Sequence, residues 1–260
     1  MHPFILRRST PLVSLIILLY SSALLGQSGR IYHYFTFDGE GKVDFIFDQN
    51  NYGRPEMLYR IKPGYGYGIG YGVDIGNRHK IQTALRYVTG GQYYKDVFAG
   101  LEHVKNIEFY SLQIPLIYKF IFNNPSKTYR KDFQWILNAG FNFSYLIRTD
   151  ATYRIDGQTV SFYDFMKYNN SHYDEILANP DATDPISLFN RWDIALYGGV
   201  SALYFVLDYV AVELELNVTY GMLDINRLEW QIKNVNGQYS GSHNGQIGSR
   251  LTVLYYIPFW

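Results

Sequence analysis

The stretch FQWILNAGFNFSYLIR, Phe133 to Arg148, decides how the rest of the chain is read. Successive side chains of a strand point to opposite faces. Phe133, Trp135, Leu137, Ala139, Phe141, Phe143, Tyr145 and Ile147 therefore share one face, and Gln134, Ile136, Asn138, Gly140, Asn142, Ser144, Leu146 and Arg148 share the other. A soluble strand usually ends after about five or six residues, whereas a tilted bilayer crossing takes about 9–11. A run of this length, apolar and aromatic on one side and small or polar on the other, predicts a strand set between hydrocarbon and a polar lumen.

Working outward, the same pattern recurs. From Glu108 to Phe122, Tyr110, Leu112, Ile114, Leu116, Tyr118, Phe120 and Phe122 oppose Ser111, Gln113, Pro115, Ile117 and Lys119. Pro115 has no donor for the ladder, which predicts a bulge or break there. From Val210 to Tyr220 an apolar row opposes Glu213, Glu215, Asn217 and Thr219, and in the last strand Ile247, Leu251, Val253, Tyr255, Ile257 and Phe259 oppose Gln246, Gly248, Arg250, Thr252 and Leu254. Between Gly64 and Gly76 the glycines recur at every second residue, with Tyr65, Tyr67, Ile69, Tyr71, Val73 and Ile75 between them. A phosphate-binding loop needs other spacings, so this run reads as a strand with one bare face that leaves room for bulky neighbours. Lys80 to Thr89, Arg191 to Phe205, and a first strand at Lys42 to Asp48 or at Ile31 to Asp38 complete a count of eight.

Connections at 77–79, 123–132 and 207–209 are short, while 49–60, 90–106, 149–190 and 223–244 are long, and the two kinds take turns. Outer-membrane barrels have short periplasmic turns and long outer loops. The expected fold is all-β: an eight-stranded antiparallel up-and-down transmembrane barrel with both termini in the periplasm. The loop 149–190 mixes Tyr153, Phe162, Tyr163, Phe165, Tyr168 and Tyr173 with Asn, Asp and Ser, and 162–168 and 173–177 can form short surface helices. It reads equally as a surface that meets a protein, glycan or lipid head group and as a self-packed lid.

Arg7 and Arg8, an apolar stretch from Pro11 through Leu19 and the small residues Ser21, Ser22, Ala23 and Gly26 follow the order of a secretory signal. The expected division is a signal peptide at 1–26, an N-terminal periplasmic segment at 27–41 that can also supply strand 1, and the barrel at 42–260. Basic and acidic residues balance at 23 each, which gives no field to steer nucleic acid, and the chain has no Cys for disulfides, thiolate chemistry or a lipobox. The 26 Tyr and 17 Phe suit the aromatic belts of membrane interfaces.

Ser111-Leu112-Gln113-Ile114-Pro115-Leu116-Ile117-Tyr118-Lys119, preceded by the Gly64–Gly76 and Ile81–Gly90 pair, resembles the corresponding strands of the PorT-like outer-membrane β-barrel family of Bacteroidota. The resemblance covers about residues 42–260. It implies an eight-stranded barrel whose terminal aromatic residues, here Phe259 and Trp260, are read by the barrel assembly machinery, although Pro258 departs from an unbroken β ending. The family's named member serves a secretion and gliding system.

No His pair has metal-ligand spacing, so no metal or cofactor is expected. Ser171-His172 and Ser242-His243 are the adjacent pairs an outer-membrane lipid hydrolase would need, but neighbours in a strand face opposite ways. Asp74, Arg86, Lys119, Arg191, Asp193, Glu213, Glu215 and Arg250 fall at lumen parities and form an expected internal charge network. The expected function is a non-enzymatic barrel in the outer membrane, contacting its lipids, with loops that bind a partner or a body that supports an envelope complex. The rivals are a lipid hydrolase, a PorT-type secretion component, and a soluble lipocalin-like barrel with its faces inverted.

Overall fold

The computed structural model describes residues 31–47, 58–76, 78–98, 100–123, 133–161, 164–165, 189–227 and 241–258. The expected signal peptide and the terminal pair Phe259 and Trp260 lie outside these residues, as do residues 166–188 of the expected loop 149–190, with the segment 173–177 expected to be helical. The strands are β1 Ile31–Phe47, β2 Leu58–Arg60, β3 Lys62–Ile75, β4 His79–Phe98, β5 Leu101–Ile121, β6 Gln134–Ile155, β7 Gln158–Val160, β8 Trp192–Leu207, β9 Val210–Gly221 and β10 His243–Tyr256. Eight of them close a ring in the order β1, β3, β4, β5, β6, β8, β9, β10, with every pairing antiparallel; the short β2 and β7 attach to β4 and β6.

The register fixes the shape of the wall. Stepping between paired residues from Gly41 through Ser249, Leu216, Val200, Leu137, Phe120, His79 and Ile75 returns the path to β1 at Ile31, 10 residues from its start. With strands about 4.8 Å apart and a rise of about 3.3 Å per residue, that stagger over eight strands requires a tilt of about 40° and a backbone radius of about 8 Å. A tube this narrow is filled by its own side chains.

The faces divide as alternation demands. Phe37, Leu137, Leu216 and Leu251 are exposed on the outside, while their strand neighbours Asp38, Asn138, Glu215 and Arg250 are buried within. Outward aromatic residues bound the apolar wall: Phe35 and Phe47 on β1, Tyr110 and Phe122 on β5 and its end, and Phe133 and Tyr145 on β6 and the residue before it. At a rise along the axis of about 2.5 Å per tilted residue, each pair stands about 30 Å apart, the depth of a bilayer's hydrocarbon core. A closed wall without a free edge and with this exterior is a transmembrane barrel.

Three features differ from expectation. β1 runs unbroken through both segments proposed for the first strand, so residues 31–41 are barrel wall. Pro115 sits in regular pairing with Asn142 of β6, and the expected break falls on the β4 side alone, where pairing passes from Thr83–Leu116 to Arg86–Gln113 without a register change. The bulge in β5–β6 lies nearer the loops, between Tyr110 and Ser111. Finally, much of the expected loop 90–106 and the start of 149–190 are strand: β4, β5 and β6 continue past the aromatic boundary as a sheet.

Candidate functional site

The lumen is best followed from the end with the short turns. Tyr34, Ile121, Ile136, Leu203, Phe205, Leu254 and Tyr256 pack there into an apolar plug. The bare face of β3 makes this possible, because a side chain at Gly72 would occupy the space of the Tyr34 ring. Above the plug, Lys80 Nζ donates to Asp74 Oδ2 at 3.1 Å and to the Tyr256 hydroxyl at 2.9 Å.

One layer higher, Lys119 Nζ donates to both Glu213 oxygens at 2.7 and 2.8 Å and lies 4.0 Å from Glu215. Glu213 also accepts from Ser201 at 2.5 Å, and Glu215 accepts from the Tyr197 hydroxyl. Arg250 bridges strands, with Nη1 3.7 Å from Glu215 and Nη2 3.6 Å from Glu40. Arg86 joins Glu40 to Asp38, whose Oδ1 accepts from Nε at 2.7 Å. At the top, Lys42 pairs with Asp44 at 2.9 Å, and the Gly91 N–H donates to Asp44 Oδ2.

Of the residues expected in the lumen network, Asp74, Arg86, Lys119, Glu213, Glu215 and Arg250 are buried in this ladder. Asp193 stands apart, half-buried near Gly221 at the loop end, beside a small cavity of about 60 Å³ that Lys42 and Asp44 also line. Arg191 is not in the lumen: it precedes β8, is exposed, and donates to the Tyr145 hydroxyl on the outer face. Sequence reasoning missed Asp38, Glu40, Lys42, Asp44 and Lys80. The signal for the first four was their spacing at every second residue, interleaved with outward Phe37, Val43 and Phe45.

Buried charges are tolerable only when paired and hydrogen-bonded. Each layer pairs its charges with groups from more than one strand, so the ladder ties the wall together. A second apolar cluster of Ile46, Tyr94, Ile107, Leu146, Tyr153, Phe165, Phe189 and Ile225 covers the loop end. The roots of two long loops are clasped above it: Phe189 bridges Asn226, Asn190 Nδ2 donates to the carbonyls of Asp224 and Asn226 at 2.8 and 2.9 Å, and Arg227 Nε donates to the Phe189 carbonyl.

Beyond the aromatic boundary, β4, β5 and β6 rise about 25 Å further at the same tilt, with β2 along one edge and β7 along the other. The inner face of this sheet carries Tyr94, Lys105 and Tyr153, with Lys105 Nζ 5.2 Å from the Tyr94 ring centroid. Burial pushes the Lys105 ammonium down to about 8. The outer side exposes Leu58, Ile61 and Val97 beside the Lys95–Glu102 pair. Lys62 of β3 reaches across β4 to donate to Asn106 and Glu108 of β5, fastening the base.

At the pair expected of a hydrolase, the Ser242 hydroxyl accepts from Asn226 Nδ2 at 3.0 Å, and the His243 ring stacks on Tyr220. Ser171-His172 lies outside the described residues. Among the described residues, no group of three or more His, Cys, Asp or Glu is placed to hold a metal ion.

No protein-family model matches the chain, and no curated protein matches it. Among solved structures it is similar to the outer membrane protein OprG from Pseudomonas aeruginosa, at 9% identity and a TM-score of 0.46, covering 90% of this chain and 99% of that one. It is also similar to Neisserial surface protein A, at 13% identity, a TM-score of 0.39 and coverage of 85% and 96%. A third likeness is to Ail, the attachment invasion locus protein of Yersinia pestis, at 9% identity, a TM-score of 0.35 and coverage of 86% and 98%.

Proposed function

We propose that the chain is a non-enzymatic barrel of the bacterial outer membrane whose working surface is the sheet standing beyond the wall, with the lumen serving only to brace it. The observation that carries this reading is the contrast between the two ends. Among the described residues, apolar clusters stand above and below a paired ladder in the lumen. Strands β4, β5 and β6, by contrast, continue far past the bilayer boundary and are edged by β2 and β7, a rigid platform of a kind that loops alone do not provide. Rigid elements hold a recognition surface with less loss of entropy than mobile loops do.

In this orientation the short turns and both termini face the periplasm, and the platform and the 149–190 loop face the exterior, where a protein or glycan partner would meet them. The Ser111–Lys119 strand supports a narrower version in which the barrel is a PorT-like component of a secretion or gliding system. Assembly through the barrel machinery, with Phe259 and Trp260 as its signal, belongs to the same proposal.

The experiment is to isolate the full-length protein from outer membranes, establish heat-modifiable gel migration, and compare copurifying chains with those of a variant in which 93–106 is replaced by a tight turn. Loss of a partner from a variant that still shows the heat shift is expected. An unchanged partner set would remove the platform from the mechanism, and extraction of the wild type with soluble proteins would end the membrane reading.

A further inference from the structure

On the outer surface where β6 meets β8, two guanidinium groups stand at the top of the apolar wall. Arg191 is exposed and donates from Nη1 to the Tyr145 hydroxyl at 3.2 Å. The Tyr145 ring in turn packs at a tilt against the exposed Trp192, with 4.7 Å between centroids and 54° between planes. Arg148, two residues above the level of Arg191, lies with its guanidinium carbon 5.1 Å from the Tyr110 ring centroid. Exposed Ile147 lies between the two, and the apolar wall continues below it through Phe143.

The two cations are not equivalent. Arg148 is held by Asp150 in a paired contact on the side away from the wall. Arg191 has no ion pair with any described carboxylate, and its polar contact among the described residues is the Tyr145 hydroxyl, which takes one Nη1 donor of the guanidinium. A guanidinium presents forked donors that match phosphate oxygens. A free anion would meet a single exposed cation in water, where ion pairing is weak. A lipid whose phosphate lies at this height would also bury its acyl chain against Ile147 and Phe143, and that second contact separates the two sources of phosphate.

We propose that the Arg191–Tyr145–Trp192 face, with Arg148 beside it, is a binding site for the phosphorylated headgroup of an outer-leaflet lipid. The site deepens the membrane reading above and rests on it. It fixes one vertical face of the barrel against the leaflet and so sets the direction in which the outer sheet leans.

The test uses full-length protein in mixed micelles carrying either phosphorylated lipid A or its dephosphorylated form, with lipid retention read by native mass spectrometry. The phosphorylated form is expected to be retained about tenfold better, and Arg191→Gln is expected to abolish the difference while Arg191→Lys keeps part of it. Quenching of Trp192 fluorescence should accompany retention and vanish in Trp192→Phe. Equal retention of both lipids, an unaltered preference in Arg191→Gln, or displacement of the lipid by inorganic phosphate would each overturn the proposal. If the wild type lacked heat-modifiable migration in the same micelles, the membrane reading itself would fall, and the two failures are thereby distinct.

Discussion

Arg250 of β10 is the register partner of Glu40 on β1 and of Glu215 on β9, so one guanidinium sits between carboxylates from the strands on either side of it. This places the central charge of the ladder at the seam where the first and last strands close the wall. Its Nη atoms lie 3.6 and 3.7 Å from the two carboxylates, and its guanidinium lies over the Tyr197 ring. Removing one member of a buried ionic group leaves uncompensated charge and costs about 3–5 kcal/mol, whereas replacing the whole group by apolar residues is often neutral. Arg250→Met should therefore lower the urea midpoint of the barrel sharply, and Arg250→Met combined with Glu40→Gln and Glu215→Gln should recover most of the loss. A single variant as stable as wild type would show that the seam is held by backbone pairing alone.

The glycines of the wall are expected to divide by face. Gly72 points inward at Tyr34, and a methyl group there would collide with the ring, whereas Gly39 points outward with open space around it. Overpacking typically costs about 1–3 kcal/mol, so Gly72→Ala should destabilise the barrel, and Tyr34→Leu added to it should restore stability. Gly39→Ala should stay within about 0.5 kcal/mol of wild type. Urea unfolding followed by heat-shift gels distinguishes the cases, and equal sensitivity at both positions would contradict the assignment of faces.

How legible this was depended on where a residue lies relative to the bilayer. Inside it, the outer face must be apolar, and the parities of Phe133 to Arg148 and of Glu108 to Phe122 could be read directly. Beyond it, the outer face is free to be polar, so Lys95, Asp96 and Glu102 hid the continuation of β4 and β5 as strand. Gly90 and Gly91 added to the concealment, because a glycine pair looks like a loop in sequence, whereas here both lie within β4, Gly91 at φ +138°. On β1, Gly39 and Gly41 stand where apolar residues would mark a lipid face, so one long strand reads as two alternative short ones, Ile31 to Asp38 or Lys42 to Asp48. The seat of Arg250 against Glu215 followed from neighbouring strands, but Glu40 did not, since its strand had not been located.

The lumen should not conduct. Two apolar stoppers stand in series, Tyr34 with Tyr256 below and Phe189 with Ile107 above, and a barrel with a backbone radius of about 8 Å has an interior that side chains fill. In planar bilayers the purified barrel should show no stepwise conductance. Because the stoppers act in series, Tyr34→Ala with Tyr256→Ala should also remain closed. Steady unitary steps from the wild type would mean that one stopper moves aside and that transport has to be restored to the function.

The outer sheet should tighten in alkali. Burial holds Lys105 at about 8 in the folded sheet, below the ordinary lysine range that applies once the sheet opens. Between those two values the open form binds the extra proton and the folded form does not, so stability rises as pH climbs through that window and is lower below it. Hydrogen exchange at the β4–β5 amides, corrected for intrinsic rates, should show protection increasing from about pH 7 to about pH 10. Lys105→Met removes the titrating group, keeps the volume and leaves the stem of the side chain against Tyr94. In that variant the pH dependence should flatten at the level of the alkaline wild type. A variant that retained the slope would assign it to another group and would place the Lys105 ammonium in water.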